Sequence, residues 1–193
     1  MMKSFLMTMC FAALAVSAAL GQQKKTLPPL PKPDQGPSLE ITMKFIQDKL
    51  NGIGPLNYLA NGHNNVEGMD WTNQYKVEAT SATAEPSACR INYYWKEERD
   101  GVATFDAGLS INLREVEDMA VMTMEQNLKT EDAVDGLDRS YKVDPSVFVL
   151  KVRRTDKGFY ILEFFDEQMA NRMAKALVHA VELCGGGSTT EPF

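Results

Sequence analysis

From residue 38 to residue 187 the apolar positions run first with a helical period, then in alternation, then with a helical period again. Ser38 follows Pro37 and suits a helix N-cap. Leu39, Met43, Ile46 and Leu50 then fall on one stripe, with Ile41 and Phe45 beside it, which predicts a helix to about Leu50. Asn51-Gly52 and Gly54-Pro55 end it. Residues 55–73 show no clear period, and Asn61-Gly62-His63-Asn64-Asn65 reads as a turn-rich loop.

Alternation begins at Asn73. Tyr75, Val77 and Ala79 share one side of a first strand, and 82–87, with Pro86, reads as a loop. Cys89, Ile91, Tyr93 and Trp95 share one side of a second strand, with Arg90, Asn92, Tyr94 and Lys96 on the other. Asp100-Gly101 is a strong hairpin turn. Beyond it Phe105, Ala107, Leu109, Ile111 and Leu113 alternate with polar residues, the clearest strand pattern in the chain. Residues 119–124 read as a further strand and 127–139 as an exposed, charged loop. Residues 147–153 and 159–164 read as a hairpin around Thr155-Asp156-Lys157-Gly158. Asp166 caps a last helix whose stripe is Met169, Met173, Ala176, Leu177, Ala180, Val181 and Cys184, closed by Gly185-Gly186-Gly187. The order helix, five or six antiparallel strands, helix predicts an α+β fold whose single sheet curls into a partial barrel.

The first residues follow a different rule. Met1-Met2-Lys3 is a short basic start, residues 4–20 carry no charge, and Ala19-Leu20-Gly21 supplies small residues at −3 and −1. This is the pattern of a secretory signal peptide over 1–21 cleaved after Gly21; uncleaved, the same block would anchor the chain in a membrane. Residues 22–37 hold Pro28, Pro29, Pro31, Pro33 and Pro37, which favour a stiff extended linker. The organisation expected is therefore signal peptide 1–21, linker 22–37, one α+β domain over 38–187 and a loose tail over 188–193.

Export changes how the cysteines read. Cys10 leaves with the signal, and Cys89 and Cys184 remain as an even pair in an oxidising compartment, secreted or periplasmic. Paired, they close a loop of about 95 residues, worth roughly 4–5 kcal/mol by chain entropy; the alternative is two separate thiols. The formal net charge is −6 and becomes one unit more negative once Lys3 is removed. Nucleic acids and anionic membrane surfaces select clustered Lys and Arg, so neither is an expected partner.

The segment Ile161-Leu162-Glu163-Phe164, followed at once by the amphipathic helix, resembles the close of a pleckstrin-homology-like domain. In that fold a C-terminal helix plugs one end of a bent antiparallel barrel, which the strands over 73–164 could build. The resemblance is architectural and implies no site. The loop at 81–87 carries no base, so the phosphoinositide binding of such domains is not carried over. The overall plan is also similar to secreted bacterial proteins of unknown function.

Candidate chemistry is sparse. His179 lies on the wet side of the last helix. His63, in a Gly/Asn-rich stretch near Glu67 and Asp70, is a candidate binding residue, but the grouping is no metal motif. Tyr94 is the one member of Tyr93-Tyr94-Trp95 that alternation turns outward, where a ring can stack on a sugar or a partner side chain. Arg153-Arg154 reads as a surface ion-pair site. No catalytic, cofactor-binding or metal-ligating set is predicted. The expectation is an exported, non-enzymatic domain that binds a protein or cell-envelope partner. One alternative is a carrier of a small apolar ligand, with Met119, Met122 and Met124 as adaptable lining. The other is a hydrolase whose site has no recognisable motif.

Overall fold

The structure, a computed structural model, describes residues 36–187. The expected signal peptide over 1–21, all but the last two residues of the expected linker, and the expected tail over 188–193 lie outside the described residues. The chain forms α1 (Leu39–Asn51), β1 (Leu56–Asn64), β2 (Met69–Glu85), β3 (Arg90–Arg99), β4 (Val102–Asn112), β5 (Val116–Thr123), α2 (Met124–Asp135), β6 (Arg139–Asp144), β7 (Phe148–Arg154), β8 (Phe159–Phe164) and α3 (Glu167–Leu183).

The class is α+β with a helix at each end of the strand region, but the strands do not make one curled sheet. They make two: five strands in the order β4-β3-β2-β1-β6, and three in the order β5-β7-β8. All pairings are antiparallel, and neither sheet curls or closes. The physical reason lies in β7. Leu150 and Val152 join one core, with Ile91, Ile111, Phe164, Met43 and Leu177, whereas Val149 joins a second with Tyr58, Val77, Met124 and Val143. A strand that buries side chains on both faces separates two cores; a barrel wall would face only one.

Several local expectations are met and others are corrected. Ser38 caps α1 by accepting from the Ile41 amide, and Asp166 caps α3 by accepting from the Gln168 amide. Asp100 (φ 52°) and Gly101 (φ 76°) both have positive φ, which makes the β3–β4 connection a type I′ hairpin turn. Of the supposed turn-rich loop at 61–65, residues 61–64 are instead the end of β1, an inner strand paired to β2 and β6, and the turn begins at Asn65. The strand buries Leu56, Tyr58, Ala60 and Gly62, residues too small or too polar on average to advertise a strand. The 82–87 loop is corrected too: β2 continues to Glu85, and a bulge between Ala79 and Ser81 resets its alternation.

The charged loop expected over 127–139 is largely α2, opened by a capping box between Thr123 and Gln126 and closed by Gly136 at φ 71°. Its buried side includes Asn127 and Asp132, so no apolar stripe betrays it. Both are satisfied. Lys151 Nζ donates to Asn127 Oδ1 (3.1 Å), Tyr141 donates to Asp132 Oδ2 (2.7 Å), and Arg139 lies 3.6 Å from Asp132 Oδ1. In β4, finally, the good alternation does not mean burial. Ile111 is enclosed, Leu109 half so, and Phe105 lies on the open half of the hairpin, 41% exposed.

Cys89 and Cys184 form a disulfide that ties the start of β3 to the C-terminus of α3. Such a bond fits an oxidising, extracytoplasmic compartment. Among the described residues no helix is long and apolar enough to cross a membrane.

Candidate functional site

The five-stranded sheet has a polar outer face and an inner face packed in part against α1 and the smaller sheet, with α2 beside β6. The outer face is laced by cross-strand polar pairs: Thr72 to Asn61 (2.7 Å), Ser110 to Asn92 (2.9 Å) and Lys96 with Asp106 (3.5 Å). Both sequence-predicted surface residues lie here. Tyr94 is half exposed and lies against Gly108 of β4, where a Cβ would fall 2.3 Å from its ring. His63 Nδ1 sits 2.8 Å from Asp70 Oδ1, beside a shallow hollow of about 230 Å³. Glu67 turns away from them and accepts from Asn64 (3.0 Å).

The structure does not bring His63 and Tyr94 together. His63 pairs with Asp70 and Tyr94 with Ser81, at opposite ends of β2 and on the order of 35 Å apart at strand spacing. Among the described residues no three His, Cys, Asp or Glu side chains converge as metal ligands. Arg153 pairs with Glu117 (3.5 Å) and Asp118, and Arg154 with Asp156, so that basic spot is an ion-pair cluster.

Sequence reading missed the inner face. On that face a cleft of about 390 Å³ opens between β1, β2, β6 and Leu128 of α2. Trp71, Tyr75 and Tyr141 line it, with Asn64, Asn73, Glu67, Arg99 and Arg139. Gly62 makes this possible. It pairs with Trp71 on β2 and Tyr141 on β6, and a Cβ on it would fall 2.1 Å from the Trp71 ring. With only hydrogen there, the indole lies across β1, edge-on to Tyr141 (centroids 6.0 Å, planes at 82°) and under the Arg139 guanidinium (5.4 Å). The signal available in the sequence was a glycine within a polar strand whose register could set it against an aromatic residue.

A second aromatic group continues along the same face. Tyr58 and Tyr75 stack (5.1 Å), and Tyr93, Trp95 and Phe105 form a three-ring stack. Glu163 of β8 reaches among them. Part of the residue meets solvent, but its carboxyl group is enclosed, and Tyr58 donates to it at 3.4 Å. Burial, reinforced by the nearby Glu97 charge, pushes this carboxyl up to about 7. Burial also pushes the Tyr93 hydroxyl up to about 12 and the Tyr58 hydroxyl well above the tyrosine range. Glu163 does not line the cleft, so its shift reports on the packing of one sheet against the other.

Another cavity, of about 320 Å³, lies between the end of α1 and the start of α3. Its acids are already engaged: Asp48 pairs with Lys44 and Asp166 caps α3. An apolar groove of about 350 Å³ between α1 and α3 is lined by Ile41, Phe45 and Ala176.

Set against known proteins, the chain matches no protein family, no curated protein and no solved structure.

Proposed function

We propose that this is an exported, non-enzymatic binding domain whose recognition surface is the cleft between the β1–β2–β6 end of the five-stranded sheet and α2. One observation carries this reading. Three aromatic rings, two guanidinium groups and two amides, contributed by four strands, line a cavity of about 390 Å³. That size and mixture suit a site that orients a ligand by a few fixed polar groups. Export rests on the sequence pattern of residues 1–21, and the Cys89–Cys184 disulfide supports it.

The test is site-specific photocrosslinking. A benzophenone side chain at Asn73 faces the cleft; at neighbouring Gln74 it faces the outer side. Exposing both proteins to the cell envelope and medium of the source should yield adducts at Asn73 and not at Gln74. Equal labelling at both positions, or none at Asn73, would reject the assignment.

A further inference from the structure

We infer that the cleft takes a neutral saccharide, an inference that rests on the binding reading above and narrows it to a ligand class. The charges of the cleft balance. Arg139 is matched by Asp132 at 3.6 Å, and Arg99 shares the cleft with Glu67. The formal charges therefore sum to zero, and net charge favours neither an anion nor a cation.

The remaining hydrogen-bonding capacity is mixed. Arg139 Nε, enclosed at the cleft wall, has no hydrogen-bond partner among the described residues, an unsatisfied donor on a guanidinium that lines the cleft. Arg99 makes no ion pair among the described residues, and the Asn73 amide, half-buried, makes no hydrogen bond among them. Glu67 offers an acceptor, and the Asn73 amide offers both roles. Hydroxyl groups, which donate and accept, are the partners that satisfy such a set. The rings of Trp71, Tyr75 and Tyr141 add apolar surface of the kind that covers the C–H faces of a pyranose.

A peptide fits less well. One common way an extended peptide binds is by adding a strand to a free sheet edge. At the cleft β1 is paired to β2 and β6, and β6, the edge strand, has α2 packed beside it, with Glu125 accepting from the Val143 amide at 2.9 Å.

The chain has only two tryptophans, which gives a direct readout. In the disulfide-bonded Trp95→Phe protein, Trp71 is the sole indole. Its emission is titrated with cellotetraose, chitotetraose, maltotetraose and xylotetraose, and with tetragalacturonate as the acidic arm. At least one neutral sugar should give a saturable change. Arg139→Met should weaken it about tenfold or more, as expected for losing a hydrogen bond to a charged group. Asn73→Ala, which removes no intramolecular hydrogen bond, should weaken it severalfold without changing the melting temperature. The inference is overturned if no neutral sugar changes Trp71 emission, if only tetragalacturonate does, or if binding survives both substitutions. Crosslinking at Asn73 without sugar binding would overturn this inference alone; loss of both would take the binding reading with it.

Discussion

The side-chain amide of Asn51, at the end of α1, exchanges two hydrogen bonds with the backbone of Ala82 in β2: Nδ2 to the carbonyl at 2.9 Å and Oδ1 from the amide at 2.7 Å. β1 pairs with β2 only as far as Val77, so beyond that point one edge of β2 has no strand beside it among the described residues. Asn51 and Gln47, which accepts from the Ala84 amide at 2.7 Å, take the place of the missing strand. The helix thus ends a sheet edge that would otherwise be open to pairing.

Asn51→Ala leaves both Ala82 groups unsatisfied in a part-buried setting, and should destabilise the fold by about 2–3 kcal/mol. Asn51→Asp keeps the acceptor and loses the donor, so it should fall between wild type and Ala. Urea denaturation of the three proteins, with unchanged slopes, checks this order.

Glu163 predicts how stability depends on pH. Its folded value, about 7, lies above the ordinary 4.5, so folding favours the protonated form. Its contribution is fully present below about 4.5 and is lost as pH rises through about 7, an effect of up to about 3 kcal/mol. Glu163→Gln should remove that slope and make the variant the more stable protein at alkaline pH. Comparing the two proteins by denaturation from about pH 4.5 to about pH 8 isolates this group, because their other titrations cancel. Parallel curves would count against the enclosed carboxyl.

Reducing the Cys89–Cys184 bond, or replacing Cys184 with Ser, should lower stability by about 2–5 kcal/mol. The loss should appear first at the C-terminal turn of α3, which the bond holds to the start of β3. Hydrogen exchange of the 177–184 amides with and without reductant would show it.

Gly62→Ala places a methyl group where the Trp71 ring lies. The indole has to shift, at a cost of about 1–3 kcal/mol, and its emission should move to longer wavelength as it meets water. Gly108→Ala, against Tyr94 on the outer face, imposes a similar collision and serves as the control. It should cost stability while leaving Trp71 emission unchanged.

What the sequence determined by itself was whatever depends on local rules. The stripes and caps of α1 and α3, the Asp100-Gly101 turn and the β3–β4 and β7–β8 hairpins need only neighbouring residues, and they are found where the pattern puts them. Of the two readings open for Cys89 and Cys184, a disulfide or two separate thiols, the structure holds the disulfide.

Tertiary structure decided the rest. β1 carries Ala60 and Gly62 beside Leu56 and Tyr58, β6 buries only Val143, and α2 buries Asn127 and Asp132, whose burial becomes favourable only when Lys151, Tyr141 and Arg139 arrive from other strands. Two sheets replaced one curled sheet because β7 has apolar neighbours on both faces. The cleft is the extreme case. Trp71 and Tyr141 are seventy positions apart, and only the two registers of β1 set both against Gly62, the one residue whose missing side chain leaves room for them.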